Sequence, residues 1–231
     1  MTRPVPPAVE ALAEAVCAVA RRLDPDGLTV ATAGNVSARD PESGLIAVTP
    51  SGYPYESLTP ADIAIVDPEG RTVRAPHRPT SELALHTMTY ARFADLHAVV
   101  HVHSPYATAF SVLRRPIPLI SNEGLGVGAL RIEVTEFATP GSVALGRAAM
   151  ALLDRAPRTR AFLLANHGAV AVARNLGAAY RLAASVEWEA RIYHLALAVG
   201  EPVLLDQAQM DEAVAHYLDL PPVERSPSGD E

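Results

Sequence analysis

Hydrophobic positions along the chain fall into two periods. Val9, Leu12, Val16, Val19 and Leu23 recur three or four residues apart, which predicts an amphipathic helix ending near Gly27. Short apolar runs follow, "LTVA", "NVSAR", "LIAVT" and "DIAIVD", and each reads as a strand. The last is joined to "RTVRA" through Pro68-Glu69-Gly70, a hairpin signal. "PTSELALHTMTYARF" reads as a helix capped by Thr80 or Ser81. "HAVVHVH" reads as a buried strand, after which Ser104 as cap and Pro105 as first helical residue open "YATAFSVL". Thr139-Pro140 repeats that signal before "GSVALGRAAMALLDR". "AFLLA" and "AVAVA" flank Asn166-His167-Gly168, a tight turn in which Gly168 is expected to allow positive φ. A long helix is expected from Asn175 to Gly200. Strands joined by both hairpins and helices predict an α/β protein, a mixed sheet covered by helices. Residues 1–218 read as one domain, and the Pro-, Ser- and acid-rich residues 219–231 as a disordered tail.

Composition narrows the class. A chain of 231 residues can bury one sizeable core, and 49% hydrophobic content suits a globular protein. The net charge of −7 offers no basic footprint for nucleic acid. Cys17 is the single cysteine, so no internal disulfide can form, which suits a reducing compartment. The chain does not open on a secretory leader pattern, and no apolar run approaches the ~20 residues that span a bilayer. The expectation is a soluble, cytoplasmic protein without membrane partners.

The chemistry lies in the histidines. His101 and His103 end an apolar strand two residues apart, so the strand's period of two puts both imidazoles on one face. A third candidate, His167, sits in the turn of "LLANHGAVAVA". Three imidazoles are a ligand set for Zn²⁺ or a similar divalent ion, and an open fourth position would make the site catalytic. The distance of His167 along the chain leaves open whether it reaches the other two. Glu82 is the carboxylate best placed to complete the site, although an acidic residue in a first helical turn also suits the helix dipole. His77, His86, His97, His194 and His216 read as ordinary structural or surface residues. "TAGNVSAR", "TPSGY" and "PTSE" each combine hydroxyl residues with Gly, Asn or a helix start. Backbone N–H groups at such places can cradle a phosphate, though each is separately explicable as a turn or cap.

Taken in order, "TAGNVSAR", "VTPSGYPYESLTPADIAIVD", "PTSELALHTMTYARFADLHAVVHVHSPYATAFSVL" and "LLANHGAVAVA" resemble the class II aldolase/adducin family over about residues 8–200. The resemblance implies a three-layer α/β/α fold around a mostly antiparallel sheet, assembled as a homotetramer with active sites near subunit interfaces. It implies that His101, His103 and His167 bind a catalytic divalent ion, zinc or another such as Mn²⁺ or Co²⁺, with Glu82 the acid/base. It also implies that Asn35, Ser51, Gly52, Thr80 and Ser81, with the Thr32-Ala33-Gly34 turn, hold a substrate phosphate. The implied reaction is cleavage of a short ketose 1-phosphate, L-fuculose 1-phosphate or a deoxypentulose 1-phosphate, into dihydroxyacetone phosphate and an aldehyde. A glutamate in "TSE" is like the aldolases, whereas the epimerases of the family carry aspartate there. Epimerases, dehydratases and decarboxylases use the same metal scaffold, and adducin heads use the fold for interaction without the metal site. One departure stands out: the tyrosine that fuculose-phosphate aldolases place near the position of Asn122 is absent from "PIPLISNEGLG". Tyr53, Tyr55, Tyr106 and Tyr217 are the candidates to replace it.

Overall fold

The structure, a computed structural model, describes residues 5–217. The expected tail at 219–231 lies outside the described residues. Helix α1 (Pro7–Leu23) opens the chain. It is followed by strands β1 (Asn35–Arg39), β2 (Ile46–Val48), β3 (Ala64–Val66) and β4 (Thr72–Arg74). Then come α2 (Leu83–Arg92), β5 (Ala98–Val102), α3 (Pro105–Leu113), β6 (Ile117–Pro118) and β7 (Arg131–Ile132). The chain continues through α4 (Val143–Arg155), β8 (Ala161–Leu164), β9 (Gly168–Ala173), α5 (Leu176–Val199) and α6 (Gln207–Tyr217).

Seven strands form one sheet in the order β4-β3-β2-β1-β5-β9-β8, and every neighbouring pair is antiparallel. The mixed character expected from the sequence reduces to one parallel bridge, Val134 to Leu163, beside β8. The strands read as continuous apolar runs because both faces are covered. On one face Val36, Ala38, Val100, Val102, Leu163 and Ala171 pack against α1, α3 and α5. On the other, Val48, Val99, Phe162 and Val170 pack against Leu85 of α2 and Leu145, Ala149 and Leu152 of α4. That is the three-layer α/β/α architecture.

Several boundaries differ from the sequence reading, each for a local reason. "LTVA" is a turn, not a strand: the Leu28 carbonyl accepts from His103 N–H at 3.1 Å, and Ala31 adopts φ of 53°. "DIAIVD" pairs only over Ala64–Val66, because Thr59 and Asp62 close a single helical turn at its start. Helix α2 starts at Leu83, with Glu82 at the N-cap position. Pro79 instead bridges to Pro50, and the Thr80 hydroxyl accepts from Glu82 N–H at 3.3 Å. Ser104 occupies the N-cap of α3, but its Oγ is buried without a partner. The Glu187 carboxylate, from α5, caps that helix by accepting from Tyr106 N–H (3.0 Å) and Ala107 N–H (2.9 Å). In the β8–β9 turn Asn166, not Gly168, takes positive φ, at 56°. Gly168 is needed for space, since a Cβ there would stand 2.3 Å from the Val102 carbonyl oxygen. The small β6–β7 pair and α6 were not anticipated.

Candidate active site

Antiparallel register assembles the site. Asn35 of β1 and Val170 of β9 flank His101 of β5, so the β8–β9 turn delivers His167 beside the end of β5. Hydrogen bonds hold that turn to α3, with Asn166 N–H donating to the Ser111 carbonyl at 3.0 Å and His167 N–H to Ser111 Oγ at 3.2 Å. The rings of His101, His103 and His167 lie within 4.7–4.8 Å of one another, centroid to centroid. The three residues expected to share a metal are therefore brought together, including the distant His167.

Their nitrogens are oriented. A carbonyl can only accept, so His101 Nδ1–H donates to Ala169 O at 2.9 Å, and His101 Nε2 is left with its lone pair. His103 Nε2 lies 2.9 Å from that nitrogen. Glu82, at the start of α2 and 5% exposed, reaches into the same point: Oε2 is 3.2 Å from His101 Nε2, and Oε1 is 3.4 Å from His167 Nε2. Burial keeps the imidazoles neutral. It pushes His101 well below its ordinary value, His103 down to about 4 with help from His167, and His167 down as well. Neutral rings converging their Nε2 atoms beside a carboxylate fit a divalent cation, because metal binding needs the unprotonated ligand.

The three hydroxyl- and glycine-bearing segments also meet. Thr49 N–H donates to the Val36 carbonyl at 3.0 Å, Thr80 N–H to the Thr49 carbonyl at 3.0 Å, and Ser51 N–H to the Arg78 carbonyl at 2.9 Å. Residues 34–36, 49–52 and 78–82 thus form one continuous wall beside Glu82. Ser51, Gly52 and Ser81 are exposed, Thr32 and Gly34 half-buried, and Asn35 and Thr80 buried. Gly34 has φ of +76°, and a Cβ there would stand 2.6 Å from the His101 carbonyl oxygen, so the loop can cross the strand that carries His101 only as glycine. Asn35 is hydrogen-bonded at both ends of its side-chain amide. Its Nδ2 donates to Glu82 Oε2 at 2.9 Å, and its Oδ1 lies 2.5 Å from His86 Nε2.

His86, read from the sequence as ordinary, is fully buried and bonded to the site's own support. The legible signal was its spacing: His86 and Tyr90 are four apart on α2, both facing Ser37. Of the tyrosine candidates, Tyr55 is buried and donates to the Gly34 carbonyl at 2.7 Å, and burial raises its pKa. Tyr53 packs on His77, and Tyr106 on His194. The side chain of Tyr217 lies outside the described set. Asn122 lines a cavity of about 660 Å³ with Arg158, Arg174 and Arg181, beyond the end of β9 opposite His167.

Comparison with known proteins makes the chain an aldolase, an aldehyde-lyase, and the fold and the histidine cluster suit that class. Residues 14–194 match the Class II Aldolase and Adducin N-terminal domain family, and the chain belongs to it. It is 35% identical to a 5-deoxy-D-ribulose 1-phosphate aldolase of Bacillus thuringiensis serovar kurstaki, over 88% of this chain and 94% of that protein. It is 37% identical to a 5-methylthioribulose-1-phosphate/5-deoxyribulose-1-phosphate aldolase of Rhodospirillum rubrum, over 90% and 91% of the two chains. A solved L-fuculose 1-phosphate aldolase superposes with a TM-score of 0.84 at 34% identity, covering 90% of this chain and 96% of that one.

Proposed function

We propose that the enzyme reversibly cleaves the C3–C4 bond of a 5-deoxypentulose 1-phosphate, giving dihydroxyacetone phosphate and a two-carbon aldehyde. The observation that carries this reading is the meeting of three neutral Nε2 atoms and the Glu82 carboxylate beside one wall of Ser51, Gly52, Thr80 and Ser81. The relatives named for 5-deoxyribulose 1-phosphate, and the loop without tyrosine at Asn122, favour this substrate over L-fuculose 1-phosphate.

His101, His103 and His167 would hold the divalent ion, zinc or a similar cation. When bound, it supplies Lewis-acid stabilisation for the negative charge that develops as C3–C4 breaks. The chain's own residues do the rest. As C3–C4 breaks and the C4 hydroxyl becomes the aldehyde carbonyl, the Glu82 carboxylate takes up the proton released from that hydroxyl and delivers it to C3 of the departing three-carbon fragment; both transfers reverse in the condensation direction. The exposed hydroxyls of Ser51 and Ser81, with Gly52, whose Cβ position is open space, grip the phosphate and fix the ketose. The Gly34 turn, tied by Tyr55, closes that wall against the histidines.

No helix among the described residues is long and apolar enough to cross a membrane. A cytoplasmic homotetramer, with neighbouring subunits completing the aldehyde pocket, accompanies this proposal. The test is an aldolase assay of the metal-loaded enzyme with dihydroxyacetone phosphate and an aldehyde panel, with and without a chelator. Chelator-sensitive condensation with acetaldehyde is expected. Equal turnover of dihydroxyacetone and its phosphate would overturn the sugar-phosphate reading.

A further inference from the structure

A line of buried polar side chains runs from the α2 layer to Glu82, outside the metal site. Glu82 Oε2 lies 2.9 Å from Asn35 Nδ2, Asn35 Oδ1 lies 2.5 Å from His86 Nε2, His86 Nδ1 lies 2.6 Å from Ser37 Oγ, and Ser37 Oγ lies 2.6 Å from the Tyr90 hydroxyl. His86 and Ser37 are fully buried, Tyr90 is 3% exposed and Asn35 5%.

Hydrogen-bond chemistry gives this line one direction. A carboxylate only accepts, so Asn35 turns its NH₂ to Glu82 and its oxygen to His86. That oxygen needs a donor, so His86 carries its proton on Nε2. His86 is neutral, since burial drives its pKa down to about 3, and its Nδ1 is then an acceptor. Ser37 therefore donates to His86, and Tyr90 donates to Ser37. Four donors point the same way and end on one carboxylate oxygen.

We infer that His86 is a positioning residue for the proposed proton transfer: by fixing the Asn35 amide it keeps Glu82 Oε2 occupied and leaves Oε1 as the oxygen that exchanges a proton with substrate. Without the His86 donor, the Asn35 amide is free to flip and set its own oxygen against the carboxylate. Glu82 would then lose both its orientation and the distinction between its two oxygens. The inference rests on the function proposed above only for what Glu82 does; the polarity of the line is a property of the chain alone.

The experiment pairs two isosteric variants with a spectroscopic readout. In His86→Gln the amide nitrogen falls where Nε2 was and can still donate to Asn35. In His86→Asn the amide nitrogen falls where Nδ1 was and cannot reach. For the metal-loaded enzymes, His86→Gln should keep kcat within a few-fold. His86→Asn should lose roughly 10- to 100-fold in kcat, the range for residues that orient a reacting group, with KM and metal content unchanged. Equal kcat in the two variants, whether both active or both inactive, would overturn the positioning role. Separately, ¹H–¹⁵N NMR of the wild-type chain should find His86 as the neutral Nε2–H tautomer. An Nδ1–H or doubly protonated ring would overturn it regardless of the variants. A wild type that cleaves no ketose phosphate would defeat the proposed function, while the tautomer would still decide the polarity of the line.

Discussion

The same two strands show opposite characters on their two faces. Toward α1 and α5, β1 and β5 present Val36, Ala38, Ala98, Val100 and Val102, all at most 2% exposed and all apolar. Toward α2 and α4 they present Asn35, Ser37, Val99 and His101, also buried but mostly polar, and each polar group finds a partner. One face supplies burial and needs only volume and shape. The other carries directional bonds that are worth little net but costly to break. Chemistry is therefore loaded onto a single face of β1 and β5, while the opposite face of the same two strands is apolar throughout.

The largest test of that contrast is Glu82→Gln. It keeps size and removes the base, so kcat should fall about 10²–10⁴-fold with metal content unchanged, as steady-state kinetics and elemental analysis would show. Leu163→Ala, on the apolar face and fully buried, should do the reverse. Denaturant unfolding should show a loss of about 2–5 kcal/mol, while kcat per folded molecule stays the same. A large kcat effect from Leu163→Ala would erase the division between the faces.

Smaller effects sharpen the picture. Ser81→Ala removes an exposed hydroxyl from the phosphate wall and should weaken dihydroxyacetone phosphate binding by about tenfold, measured by calorimetry, because a hydrogen bond to a charged group contributes roughly 1.5–3 kcal/mol. His86 gives a pH signature. Its folded pKa of about 3 lies below the unfolded value of about 6.5, so the unfolded chain binds the proton first. The stability tied to neutral His86 is fully present above about pH 6.5 and is lost as pH falls toward about 3. Relative to wild type, His86→Gln should flatten the slope of unfolding free energy in that window by up to ~1.4 kcal/mol per pH unit.

Much of this was legible in the chain. Helical spacing at Val9 to Leu23 gave α1, and the period of two gave His101 and His103 a common face. The resemblance supplied what spacing could not, the reach of His167 across the sheet. What was hidden is tertiary. Ser104 looked like a cap, but a carboxylate from α5 caps α3. Glu82 looked like a first-turn acid, but it ends a non-helical segment pinned by Thr80 and turns its carboxylate to Asn35. His86 looked ordinary because its partners, Ser37 and Asn35, lie about fifty positions away. Register, not local propensity, decides such contacts.

The central claim is that His101, His103 and His167 bind the ion on which turnover depends. Elemental analysis of the purified chain, paired with the aldolase assay before and after chelation and reconstitution, tests it most directly. About one divalent ion per chain is predicted, with activity lost on its removal and restored on its return. A metal-free chain with full activity would contradict the account.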